Sequence, residues 1–177
     1  MQVGTVTSQP IGHYEFCKLH ADECRVRSSD TRAFELTNKV RRSIDALNRA
    51  VNTGVVATLD IENYGTDEVW TYPENGKGDC EDFALEKRKQ LHETLHIPLT
   101  DLLLTVVRQP NGDGHAVLTV RTDRGDFILD NLVDDMKLWR NTEYKYLKRQ
   151  DERYTGRWVS LDLAETTQYL AAIGRKK

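Results

Sequence analysis

The stretch "GKGDCEDFALEKRKQL", residues 76–91, decides the fold. A glycine turn runs into a lone cysteine, Cys80, and a helical pattern begins there. Ala84, Leu91 and Leu95 fall on a rough common face with Cys80, which predicts a helix over 80–95, ended by 96–98. Such a helix holds the thiol at its N-terminus. There the peptide dipole and the free amides favour an anion, and a backbone N–H is at hand for an oxyanion. Asp79 and Glu81 oppose the thiolate, so their charge needs another use. Taken alone, Cys80 also fits a small buried residue on a helix.

Downstream, "LLLTVV" (102–107), "HAVLTVRT" (115–122) and "DFILDN" (126–131) read as strands, the last two forming an antiparallel hairpin. His115 opens its strand directly after "NGDG", at a sheet edge. Asp130 lies near the end of the next strand, where a carboxylate can equally cap a turn. The two share a sheet face if the connecting loop has an even number of residues, and a loop of 122–123 would set them directly opposite. A thiol at a helix N-terminus, an imidazole to take its proton and a carboxylate to orient that imidazole are the parts of a cysteine nucleophile.

Upstream, residues 1–30 read as irregular, 30–52 as a helix capped by Asp30, with Phe34, Val40, Ile44, Leu47 and Val51 near helical spacing. Residues 53–77 read as a long ordered loop. Residues 134–155 are polar and give no assignment, 157–161 suit a final strand, and 162–173 a terminal helix, or a tail to 177. With 177 residues, 38% hydrophobic and 30% charged, the chain suits one soluble domain, 1–177. A net charge of −3 gives no support to nucleic-acid binding, and no apolar stretch reaches membrane-spanning length. The basic runs 87–89 and 175–177 read as solvated faces or tails. Cys17 and Cys24 suit a local disulfide and an oxidising compartment, with Cys80 left free. Zinc held with His13 and His20 is the rival reading.

Three stretches resemble the bacterial transglutaminase-like cysteine peptidases, which include the LapG-type periplasmic enzymes that cut large surface adhesins. They are "YGTDEVWTYPENGKGDCEDFALEKRKQL" (64–91), "HAVLTV" (115–120) and "GDFILDNL" (125–132). The resemblance spans roughly residues 14–160. It implies an α+β, papain/transglutaminase-like fold with the catalytic helix packed on an antiparallel sheet. The order Cys80, His115, Asp130 follows the family's catalytic order. The resemblance further implies a periplasmic or secreted enzyme that cleaves a protein such as a biofilm adhesin and is sequestered by a membrane receptor, with no direct membrane insertion. Transglutaminase or deamidase chemistry on glutamine shares the triad, and a catalytically idle binding module is the non-enzymatic alternative.

The resemblance also implies calcium beside the cysteine, with Asp79 and Glu81 as ligands. "DIENY" (60–64) offers further oxygens from Asp60, Glu62 and Tyr64, and calcium takes several such hard donors. The plainer reading leaves Asp60 and Glu62 as surface acids, has Asp79 cap the helix, and has Glu81 and Asp82 favour its first turn. For the second oxyanion donor, Trp70 and Tyr72 are the candidates, although Tyr64 and Trp70 also suit packing beneath the helix.

Overall fold

The computed structural model describes residues 1–161. The expected terminal helix over 162–173, the tail to 177 and the basic run 175–177 lie outside them.

The first 30 residues are more ordered than their sequence suggests. Strand β1 (Val6–Thr7) is followed by helices α1 (Ile11–Leu19) and α2 (Ala21–Cys24). The Cys17–Cys24 disulfide joins the two helices, so the local bridge forms and Cys80 is the free cysteine among the described residues. Zinc therefore has no thiolates to hold it here. Helix α3 (Asn38–Gly54) begins later than predicted. Thr37, not Asp30, is its cap, its side chain accepting from the Val40 N–H. Asp30 instead bonds Arg32, and Phe34 joins the core from an extended segment.

The expected loop over 53–77 loses its first two residues to α3, and the rest carries three short ordered pieces: β2 (Val56–Ala57), α4 (Asp60–Asn63) and β3 (Lys77–Gly78). Two carboxylates staple it. Asp60 Oδ2 accepts from the Val69 N–H at 2.6 Å and Asp82 Oδ1 from the Thr71 N–H at 2.9 Å. Helix α5 (Cys80–Leu95) then runs as predicted and ends at His96, which takes a left-handed conformation just before Ile97 and Pro98.

The remaining strands are β4 (Leu102–Arg108), β5 (Gly114–Thr122), β6 (Gly125–Leu129), β7 (Lys137–Leu138), β8 (Lys145–Asp151) and β9 (Tyr154–Ser160). They form one antiparallel sheet in the order β1-β9-β8-β4-β5-β6-β7, with β2 and β3 as a separate parallel pair. Leu102, Leu104, Leu118, Val120, Phe127 and Leu129 make the sheet face that packs with Ala84, Leu85 and Leu91 of α5 and Ile44 of α3. This is the predicted α+β arrangement of a helix on an antiparallel sheet.

The run 87–89 is not a solvated face. Lys87 and Arg88 are each 1% exposed. Arg88 pairs with Glu23 at 2.7 Å and donates to the Leu102 carbonyl, while the Lys87 amine is buried without a hydrogen-bond partner. The reason is geometric: α5 is enclosed by sheet, α3 and α2, so it has little polar face to spare.

Candidate active site

Cys80, His115 and Ala116 line one cleft of about 1010 Å³, together with Asp60, Asp79, Glu81 and Trp70. The β5–β6 hairpin supplies the second and third members of the predicted triad. Thr122 pairs with Gly125, so the loop is the even pair Asp123–Arg124, and Gly125, at φ 111°, absorbs the left-handed turn. Leu118 pairs with Leu129, which by continuation sets Asp130 opposite Val117. Asp130 therefore shares a face with His115, offset by one position of that face. His115 Nε2 lies 2.9 Å from Asp130 Oδ1, and both residues are buried.

A residue that the sequence reading missed completes this pair. The Tyr144 hydroxyl donates to Asp130 Oδ2 at 2.5 Å, and its ring meets the His115 ring edge-on at 5.7 Å. The Leu132 N–H also bonds Asp130 Oδ1, at 3.0 Å. Burial works to raise the Asp130 carboxyl. The bonds from His115, Tyr144 and Leu132 outweigh it and hold the group below its ordinary range. Asp130 is thus an anion at neutral pH, fixed from both oxygens. His115 Nδ1 is the ring atom left to receive a thiol proton.

The thiol itself is in a resting position. Cys80 Sγ accepts from the Ala116 N–H at 3.3 Å and donates to Glu81 Oε2 at 3.0 Å. Burial and then the Glu81 carboxylate push the thiol far above its ordinary value. The opening conflict of the sequence is therefore real: with these acids uncompensated, Cys80 stays protonated.

The acids are arranged for something other than capping. Asp79 stands at the N-cap position of α5 but makes no side-chain cap bond. Asp60, Asp79 and Asp82 each offer a carboxylate oxygen, all within 4.8 Å of one another. Asp60 Oδ1, Asp79 Oδ1 and Asp82 Oδ2 are buried without hydrogen-bond partners. Burial raises all three carboxyls, Asp82 to about 7, and neighbouring acids add to it: Glu68 and Asp67 at Asp60, Glu81 and then Asp60 at Asp79, Asp79 and Asp60 at Asp82. Gly78 makes the close approach possible, since a Cβ there would sit 2.6 Å from Asp82 Cβ and 2.7 Å from its Oδ2.

The predicted ligand set is thus only partly brought together. Asp60 and Asp79 meet, and Asp79, Cys80 and Glu81 form a second, overlapping group. Glu62 is exposed and belongs to neither group, because 60–63 is a helical turn and not the extended segment that alternation requires. Tyr64 is 38% exposed and so does not pack beneath α5, although the charges of Asp82, Asp60 and Asp79 act on its hydroxyl. Asp82 joins the cluster unpredicted; its place three residues after Asp79 on one helical turn is the signal that could have found it.

Of the two candidate oxyanion donors, Tyr72 is committed to Glu23. Trp70 lines the cleft, packs in the core against His13 and Trp158, and keeps a buried indole N–H without a partner.

Comparison with known proteins gives the family and the fold. The family model described as bacterial transglutaminase-like cysteine proteinase matches residues 3–166. Among solved structures, LapG of Legionella pneumophila is similar at a TM-score of 0.56 and 20% identity, covering 96% of this chain and 92% of that one. Calcium-bound LapG gives 0.57 and 19%, covering 94% and 93%. The EGTA-treated form gives 0.56 and 20%, covering 86% and 80%. Likeness at this identity shows the fold. No curated protein matches the sequence. The family match spans nearly the whole described chain, and the chain belongs to the bacterial transglutaminase-like cysteine proteinases, as a cysteine peptidase of transglutaminase-like fold.

Proposed function

We propose that this peptidase works through a Cys80–His115–Asp130 triad, under control of calcium, on a surface protein such as a large adhesin. The observation that carries the triad is a hydrogen-bonded His115–Asp130 pair opening on the same cleft as a thiol at the start of α5. In the reaction, Sγ turns from Glu81 toward the imidazole and gives its proton to Nδ1. The thiolate then attacks the peptide carbonyl. The Cys80 backbone N–H holds the oxyanion, and the His115 imidazolium returns the proton to the leaving amine. Water then attacks the thioester, with His115 as base, and frees the second fragment. Asp130, held by Tyr144, stabilises the imidazolium throughout.

Calcium fits the acidic cluster on this structure's own terms. Three carboxylates that each bring an oxygen within 4.8 Å of the others', and that each keep a buried oxygen without a partner, are hard donors of the kind that ion requires. Asp60, Asp79 and Asp82 would hold it, with Glu81 and Tyr64 as candidates for further oxygens. Its charge would offset the field that keeps Cys80 protonated. The calcium-bound form of the Legionella homologue supports the same reading. The Cys17–Cys24 disulfide supports a periplasmic or secreted location. No helix among the described residues is long and apolar enough to cross a membrane. A membrane receptor that sequesters the enzyme belongs to the same proposal.

Incubation with fragments of large repeat-containing adhesins, in calcium or in chelator, tests the reading. New N-termini in calcium, absent with chelator and with Cys80→Ala, are the expected result. Crosslinks or deamidated glutamines in their place would establish acyl transfer, and no covalent change would leave a binding module.

A further inference from the structure

The two-stranded pair β2–β3 has a use that the triad does not absorb. It is parallel, with Val56 opposite Lys77 and Ala57 opposite Gly78. The Val56 N–H donates to Gly76 O at 2.8 Å and the Thr58 N–H to Gly78 O at 2.9 Å. Backbone groups alternate in direction along a strand. Ala57 N–H and C=O therefore point away from β3, and no strand lies on that side among the described residues. Both residues of β2 are exposed. Ala57, Thr58 and Leu59 line the same cleft as Cys80 and His115. That shared lining places the open edge at the cleft in which the nucleophile lies.

The walls beside it are apolar and unusually exposed. Leu59 is 60% exposed and Ile61 51%, both on the β2 side of the cleft, and Leu132, from the segment after Asp130, is 58% exposed. An unpaired strand edge invites a further strand, and exposed apolar side chains beside it are the means by which such a strand's side chains are gripped.

We propose that the substrate enters as an extended peptide that adds to the free edge of β2, pairing its backbone with Ala57 N–H and C=O while Leu59, Ile61 and Leu132 receive its side chains. The inference rests on Cys80 being the nucleophile, and it names the edge and the side chains that position the peptide. Ala57 acts here as a positioning residue through its main chain alone.

The test separates backbone recognition from thiol chemistry. Ala57→Pro removes one outward N–H and leaves the Val56 and Thr58 bonds to β3 in place, an edge position where proline is tolerated. Two probes alkylate Cys80 and are followed by intact mass: a randomised pool of tripeptidyl chloromethyl ketones, and chloroacetamide, which has no peptide backbone to pair. We expect Ala57→Pro to slow the peptidyl pool about fivefold, the loss of one hydrogen bond, with the chloroacetamide rate unchanged. N-methylating the pool one amide at a time should slow the unsubstituted enzyme at one position and slow Ala57→Pro no further there. Equal rates for both proteins with the peptidyl pool would overturn the edge. So would a loss shared equally by both probes, which reports general damage. Should neither probe modify Cys80, the catalytic reading itself falls and this inference with it.

Discussion

Replacing Lys87 by methionine should make the protein more stable, and by an amount that depends on pH. The amine is 1% exposed, has no hydrogen-bond partner, and sits on α5 within the fields of Asp130 and Asp134. Burial, only partly offset by those two acids, lowers its pKa from 10.5 to about 7. The folded pKa is depressed, so between about 7 and 10.5 the unfolded chain binds the proton more tightly than the folded one. Stability therefore rises with pH through that window, and below it the full penalty remains. At pH 7 the penalty is about 4 kcal/mol; by pH 9.5 it is about 1.4 kcal/mol. Methionine keeps the stem and removes the amine. Urea unfolding followed by tryptophan fluorescence should give Lys87→Met a clear advantage at pH 7 that shrinks by about 3 kcal/mol at pH 9.5. A variant less stable at both pH values, or an advantage equal at both, would refute the assignment of Lys87 as a buried, unpaired base.

Three further outcomes follow from the same geometry. Asp82→Asn should remove most of the stabilisation that calcium gives, a gain of about 2.7 kcal/mol at a hundredfold excess over Kd, measured as the difference in Tm between calcium and chelator. An unchanged calcium response would exclude Asp82 as a ligand. His13 is buried beside the disulfide, and burial followed by the Arg88 charge lowers its pKa from 6.5 to about 3. The unfolded chain therefore binds the extra proton first, and about 2 kcal/mol of stability should be lost between pH 7 and pH 5, a loss that His13→Gln should not show. Tyr144→Phe removes a bond to Asp130 and should shift the acid limb of kcat/KM upward while costing about tenfold in rate; an unmoved pH profile would reduce Tyr144 to packing.

Helix α5 and the β5–β6 hairpin were legible because their signals are local: a glycine turn before a helical apolar face, and alternation on either side of a short polar loop. What was not legible depends on depth. Lys87 and Arg88 sit in a run that reads as solvent-facing, and nothing local says that the sheet and two helices close over it. Helix α1 is held by His13, Phe16 and a disulfide, not by a strong apolar stripe, so its sequence reads as irregular. Tyr144 lies in a polar stretch just before β8, a strand whose place in the sheet is set by pairing with the distant β4. At the acidic cluster, 60–63 turns out helical, which takes Glu62 away from Asp60 and leaves Asp82 to complete the group.

The central claim is that His115 activates Cys80, and the rate of Cys80 alkylation by iodoacetamide against pH tests it without any substrate. In calcium, the account predicts an inflection well below the ordinary thiol value of about 8.5, moved above it by His115→Ala, with alkylation at pH 7 at least about tenfold slower. Superimposable profiles for the two proteins would contradict it.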